Sequence, residues 1–493
     1  MKKYVLSIDQ GTTGSTALLL DIETKKLIGS HNTEFNQYFP EPGKVEHDLN
    51  EIWESVRVSI KEVLNKHSIN KEQISSIGIT NQRETTCAYT KKGKPLTRAI
   101  VWQDRRTHDL CLSLSASYHK NAFQKLTGLP LDPYFSGTKM KWLIENSKEV
   151  QDALDKNDLL LSTIDSFLLY KLTNCSSFKT EASNASRTSL MSLENCSWDQ
   201  NLLSFFNIPL DTLPSIDNSF GDFGVTKNLD FLPDDIPINC ILGDQQAALF
   251  GQSGINKGDL KCTYGTGAFI LLNIGKEIKY SSNKLLTTVA FKHNNESFYA
   301  LEGSTYIAGA AVQWLRDNLK LFTSSKDIES LALKSENKNT KDLTFLPFFT
   351  GIGSPYWNSK AKGALIGLTR GTTTEDISKV CLEGIALSVN DSIKALVDDC
   401  DFEVKSINVD GGASMNDLLL QLQANFSNMD IIRPEIIETT AYGVALGALI
   451  GSKQLKMEEV KSLWKKDIVV KTKPSSYFSQ KLELWNLLIN KIY

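Results

Sequence analysis

Histidine is scarce in this chain, with 6 in 493 residues, and the 8 cysteines never form a Cys-x-x-Cys pair. A zinc site built from clustered Cys and His is therefore not expected. The cysteines (Cys87, Cys111, Cys175, Cys196, Cys240, Cys262, Cys381 and Cys400) are scattered through a chain with ample core, and read as reduced thiols. No run approaches the roughly 20 apolar residues that a membrane span needs. The start, MKKYVLSID, meets Asp9 before the apolar segment of a signal peptide can develop. Neither sign of charge dominates: 54 Lys and Arg stand against 57 Asp and Glu, a net −3, which argues against a non-specific nucleic-acid binder. Nor is there a G-x-x-x-x-G-K-[ST] segment, so a phosphate grip of the P-loop kind is excluded. What these absences leave is a cytoplasmic protein of ordinary composition.

Such a length exceeds one hydrophobic core, and two domains of roughly 250 residues are expected. The chain opens on apolar runs at 4–9, 15–22 and 27–35, separated by GTTG and by a charged turn. A helix follows over 49–66, with Ile52, Val56, Ile60 and Val63 at helical spacing, and then a buried strand over 74–82. A comparable plan restarts at 261–275, where a Gly/Thr loop again sits beside an apolar strand. Further strands are expected at 285–292 and 297–304, a helix at 308–319, and a helix with a surface loop in 323–342. The expected division is near residue 252, into 1–252 and 253–493. Strands followed by helices in each half predict mixed α/β domains with a shared cleft.

Three loops suit a phosphate or nucleoside. In IDQGTTGSTALLLD (8–21), Gly11 and Gly14 allow a tight turn, while the amides and the hydroxyls of Thr12 and Thr13 can donate to phosphate. Asp9, at the strand end, is the candidate Mg²⁺ contact. TYGTGAF (263–269) offers Gly265, Thr266 and Gly267 in the same role, and INVDGGASMN (407–416) places Gly411 and Gly412 between a strand and a helix, with Asn416 one turn on. Each loop alone is explained by its turn; three together are not.

Through these and neighbouring segments, the chain resembles the glycerol kinases of the FGGY carbohydrate-kinase family. The resemblance rests on DQGTTGS (9–15), TNQRETT (80–86), AIVWQDRRT (99–107), TGLPLDPYFSGTKMKWL (127–143) and GDQQAALFGQ (243–252). It continues through TYGTGAF (263–269), AGAAVQWLRD (308–317), PYWN (355–358) and VDGGASMN (409–416). NQRE and DPYFSGTK are the segments most characteristic of glycerol kinases. The resemblance implies an α/β fold of two actin/hexokinase-like (ribonuclease H-like) domains, the nucleotide lying between them. It implies glycerol contacts at Arg83, Glu84, Tyr134, Asp244 and Gln245, an apolar wall of Trp102 and Phe269, and Asp244 as catalytic base. Nucleotide contacts would be Thr12, Thr13, Gly14, Thr266, Gly309, Gln313, Gly412 and Asn416, with ATP and Mg²⁺ as cofactors, Asp9 near the metal, and a homodimer or homotetramer as the assembly. Read without the family, Arg83–Glu84 is an ordinary surface ion pair. Trp53, Trp142, Trp314 and Trp357 are expected in the core or at interfaces, and Lys139 as a residue that only fixes a helix.

Two segments depart from the family pattern. The first loop ends Gly14-Ser15-Thr16 where most glycerol kinases carry Ser-Ser-Arg, so a basic residue facing the phosphates is missing. The segment 227–242, KNLDFLPDDIPINCIL, lacks the Gly- and Arg-containing pattern that binds fructose 1,6-bisphosphate in some bacterial members, and Asp230, Asp234 and Asp235 are expected to repel that ligand. The histidine phosphorylated in some Gram-positive members is also absent. The alternatives are another sugar or polyol kinase of the family and, from a different class, a non-metabolic actin-like ATPase, which would lack the polyol clamp.

Overall fold

A computed structural model describes residues 2–115 and 120–493. The first sheet is built from β1 (Tyr4–Gln10), β2 (Gly14–Asp21), β3 (Leu27–Glu34), β4 (Ile74–Asn81) and β5 (Ile238–Gly243). Its order is β5-β4-β1-β2-β3, with β1 parallel to β4 and antiparallel to β2. The second sheet contains β6 (Leu260–Tyr264), β7 (Ala268–Gly275), β8 (Leu286–His293), β9 (Glu296–Thr305), β10 (Ser406–Asp410), β11 (Asp430–Pro434) and β12 (Lys466–Val470). Its order is β8-β9-β7-β6-β10-β11-β12. Within it, β9-β7-β6-β10-β11 repeats the plan of the first sheet: an antiparallel hairpin at the centre, then two parallel neighbours. The GTTG loop closes the β1–β2 hairpin and the TYGTGAF loop closes β6–β7, so the two lie at matching places in the two units.

Burial on both faces explains why these strands read as nearly continuous apolar runs. Along β2, Ala17 and Leu19 point into a core shared with helix α1 (Leu49–Lys66). Leu18 and Leu20 point into a second core, which Leu271 and Ala300 of the second sheet also enter. Two helices fill that shared layer, α2 (Asp244–Gly251) and α6 (Thr439–Gly451), and they touch backbone to backbone. A methyl carbon at Gly443 would stand 2.1 Å from the Ala247 carbonyl oxygen, and one at Gly251 would stand 2.0 Å from that of Thr439. A third core lies on the far side of the second sheet, beneath α4 (Thr374–Asp398) and α5 (Asp417–Ser427).

The expected strands and helices are found to within a residue or two, including α3 (Gly309–Asp317). The 323–342 segment differs, forming two short helices, Asp327–Ala332 and Asn337–Thr340. Not anticipated was a second five-stranded sheet in the first half, made of Gln37–Tyr38, Glu46–His47, Ala99–Ile100, Thr86–Thr90 and Leu159–Thr163. Its strands are two to five residues long, too short to show alternation. It matters because it carries the NQRET and VWQDRR segments to the cleft. Among the described residues no helix is long and apolar enough to cross a membrane.

Candidate active site

A cavity of about 660 Å³ lies at the loop ends of both sheets. Of the expected residues, Thr12, Thr13, Arg83, Glu84, Trp102, Tyr134, Asp244, Gln245, Thr266 and Phe269 line it together. They come from segments up to 257 positions apart (12 to 269), so the coincidence is not local.

Arg83 and Glu84 occupy the turn between β4 and the strand Thr86–Thr90. Glu84 has φ +60°, and its carbonyl accepts from Ser136 Oγ at 2.9 Å and Thr86 Oγ1 at 3.1 Å, which holds that uncommon backbone in place. The pair is not a surface ion pair, since both side chains are 2% exposed. Arg83 makes a two-pronged contact with Glu302, Nη1 to Oε2 at 2.6 Å and Nη2 to Oε1 at 2.9 Å. Its Nη1 also donates to Gln246 Oε1 at 3.2 Å, and its Nε lies 3.2 Å from Asp244 Oδ1. Arg187, fully buried, donates from Nε to Glu84 Oε1 at 2.5 Å and from Nη2 to Glu302 Oε1 at 3.0 Å. Burial pushes Glu84 upward against the opposing pull of Arg187 and Arg83. Glu302 goes the other way: burial would raise it, yet Arg187 and Arg83 hold it at about 2.

Asp244 is the first residue of α2, where the helix dipole favours a carboxylate. Oδ1 accepts from the Gln245 amide at 2.7 Å. Burial raises its pKa, with Arg83 as the main opposing charge. Gln245 is itself held by Lys261, whose fully buried Nζ donates to Gln245 Oε1 at 2.5 Å, Thr263 Oγ1 at 2.9 Å and the Phe269 carbonyl at 3.3 Å. The aromatic wall has three members rather than two. Trp102 meets Tyr134 and Phe269 edge to face at 5.7 and 6.2 Å, and its Nε1 donates to Thr12 Oγ1 at 3.1 Å. Lys139 is buried and donates to the Tyr134 backbone carbonyl at 2.6 Å, tying down the chain just before its own helix. Trp53, Trp142, Trp314 and Trp357 are partly buried against cores, outside the cavity lining, as expected.

The three loops also converge in part. Ala308 and Ala310 amides donate to the Thr266 carbonyl at 2.8 and 3.1 Å, and the Gly309 amide to that of Gly265 at 3.0 Å, so α3 starts on the second loop. Gly411 (φ +82°) lies so close to Tyr264 that a side chain there would sit 2.4 Å from its carbonyl oxygen. That brings the Gly412 turn beside the same loop, with Asn416 capping α5 through the Leu419 amide at 2.8 Å. Gly14, Gly309, Gln313, Gly412 and Asn416 are not in the cavity lining. Gln313 is exposed on α3, one turn beyond Gly309.

Asp9 is half-buried and faces Asp244. Burial and that neighbouring charge push it up to about 7, so a cation beside it would restore its ionised form. No group of three or more His, Cys, Asp or Glu is gathered for a metal among the described residues. One carboxylate plus phosphate oxygens and water is, however, the set Mg²⁺ accepts, and Asp9 fits it. Thr16 pairs across the sheet with Asp9 on one side and Asn32 on the other, and its Oγ1 accepts from Asn32 Nδ2 at 2.9 Å. The cations lining the cavity are Arg83, locked in its carboxylates, and Arg105, 41% exposed and held by Asp132 at 2.8 Å. In the 227–242 segment, Asp230 pairs with Lys61 and Arg57 at 2.6 and 3.2 Å.

Arg187, Glu302 and Lys261 were missed in the sequence. The signal available was a charged residue inside an otherwise buried strand, as Glu302 in FYALEGS and Lys261 in LKCTY.

The sequence matches the FGGY family of carbohydrate kinases, its N-terminal domain over residues 4–251 and its C-terminal domain over 260–452. A glycerol kinase of Bdellovibrio bacteriovorus is 45% identical over 497 aligned positions, covering 100% of both chains. One from Staphylococcus epidermidis is 44% identical, covering 94% of this chain and 93% of that one. Among solved structures, Plasmodium falciparum glycerol kinase with ADP superposes with a TM-score of 0.90 at 35% identity, covering 99% and 98% of the two chains. The repeated sheet plan and these matches agree: this chain belongs to the FGGY family of carbohydrate kinases and has its two actin/hexokinase-like domains.

Proposed function

We propose that this chain is a glycerol kinase, transferring the terminal phosphoryl group of ATP to glycerol to give sn-glycerol 3-phosphate. The observation that carries the reading is the shared cavity of Arg83, Glu84 and Asp244 with Thr12, Thr13 and Thr266. Full-length identity of 43–45% to several glycerol kinases supports it. Three adjacent hydroxyls need charged hydrogen-bond partners, and Arg83, Glu84 and Asp244 supply both donors and acceptors. The C–H side of the substrate lies against Trp102, Tyr134 and Phe269.

In this mechanism Asp244 accepts the proton of one terminal hydroxyl as its oxygen attacks the γ-phosphorus, and ADP departs as the bridging P–O bond breaks. The amides of both Gly/Thr loops and the Thr12, Thr13 and Thr266 hydroxyls hold the phosphates, while Arg105, ion-paired with Asp132, brings a second cation to the cavity wall. Gly14, Gly309, Gln313, Gly412 and Asn416 serve the nucleotide. Asp9 would hold Mg²⁺, which would supply positive charge against the nucleotide phosphates. We assign the substrate and first phosphate loop to 1–252 and the nucleotide to 253–493. The enzyme works in the cytoplasm, as a homodimer or homotetramer.

A coupled assay of ADP release tests this, with glycerol, dihydroxyacetone, erythritol and xylulose as acceptors. Glycerol should give the highest kcat/KM. A preference for xylulose or erythritol would move the chain to another branch of the family, and turnover indifferent to all four would favour an ATPase.

A further inference from the structure

We propose that Arg187 and Glu302 are positioning residues for the polyol clamp, fixing the orientation and charge of Arg83 and Glu84 without touching substrate. The inference rests on the clamp reading above and adds two residues to it. Neither side chain lines the cavity, and both are fully buried. Glu302 reaches from β9 of the second sheet to two guanidinium groups carried by the first half of the chain. Arg187 reaches two carboxylates, one in each half. The four residues thus form a closed ring of two cations and two anions, directly behind the clamp and across the junction of the domains. Arg83 and Glu84 are where the ring meets the cavity.

A buried carboxylate keeps its charge only while a cation compensates for lost hydration. The charged groups acting on Glu84 are Arg187 and Arg83, which favour ionisation, and Glu302, which opposes it; Lys139 and the Tyr134 ring also stand near. Arg187 makes the shorter contact with Glu84, 2.5 Å against 3.9 Å for Arg83 Nε. Removing Arg187 should therefore raise the pH at which Glu84 ionises and weaken it as a hydrogen-bond acceptor for a polyol. Removing the charge of Glu302 should act in the opposite sense, freeing both guanidinium groups for Glu84.

The experiment measures KM for glycerol from pH 5.5 to 9.5 at saturating ATP. Arg187→Met, Arg187→Lys, Glu302→Gln and Glu84→Gln are compared with the unmodified enzyme, and ATP binding is measured without glycerol. Arg187→Met should raise KM at pH 7 by about tenfold or more and move the midpoint of its pH dependence upward, so that KM falls as pH rises. Arg187→Lys should restore much of the shift. Glu302→Gln should move the midpoint downward, a response that loss of packing does not produce. If Arg187→Met does not fold, Glu302→Gln carries the test. Nucleotide affinity should stay within about threefold throughout, a factor worth roughly 0.7 kcal/mol. Unchanged midpoints in the variants would overturn the proposal. Glu84→Gln is the separate control: near-normal KM in that variant would sink the clamp reading itself, whatever Arg187 does.

Discussion

Replacing Asp244 by Asn isolates proton transfer from everything else this residue does. The side-chain oxygen of Asn can still accept from the Gln245 amide, now at 2.7 Å, and can still stand near Arg83 Nε. Arg83 keeps its two bonds to Glu302, so the buried cluster stays paired and the fold should change little. The amide, however, cannot take the proton of the attacking hydroxyl. Loss of a general base costs about 10²–10⁴ in rate, or about 2.7–5.4 kcal/mol of barrier. The coupled ADP assay at saturating ATP and glycerol reads this as a fall in kcat, with KM for glycerol changed far less. Because the Asp244 charge helps to raise Asp9, the same variant should also lower the pH at which Asp9 ionises. Turnover within a few-fold of the unmodified enzyme would refute the role of Asp244 as base.

Arg83→Ala should raise KM for glycerol by about 10- to 150-fold, the equivalent of roughly 1.5–3 kcal/mol for a charged hydrogen bond. It should also cost about 3–5 kcal/mol in denaturant unfolding, because buried carboxylates lose a partner; ATP binding measured without glycerol should be unaffected. Since Asp9 ionises near 7, affinity for the Mg²⁺–nucleotide should weaken as pH falls from 8 to 6, and Asp9→Asn should abolish that dependence in titration calorimetry. Gly443→Ala would force a methyl group against the Ala247 carbonyl oxygen, and should destabilise the fold by about 1–3 kcal/mol or more in chemical unfolding.

Much of this architecture could be read from the chain because its main strands are long and buried on both faces. The Gly/Thr hairpins of β1–β2 and β6–β7 stand out for the same reason, as they interrupt apolar runs. The residues of the proposed clamp stand out only through the motifs NQRET, DPYF and GDQQ. The residues behind them do not, because Arg83 and Glu302 lie 219 positions apart and pairing of that range leaves no local pattern. That Lys139 is buried could not be read from the chain, because a lysine on a helix is usually a solvated side chain. The short-stranded sheet escaped for want of length, and the pairing of Asp230 with Lys61 and Arg57 of α1 escaped because those residues lie far away in sequence.

A terminal hydroxyl of glycerol is the proposed acceptor of the phosphoryl group. The most direct measurement couples the enzyme to a stereospecific sn-glycerol-3-phosphate dehydrogenase while ³¹P NMR follows the product. The account predicts a single phosphomonoester, fully consumed by the dehydrogenase, with one ADP formed per phosphoester and none without glycerol. A product that the dehydrogenase does not oxidise, or ADP release that does not depend on glycerol, would contradict it.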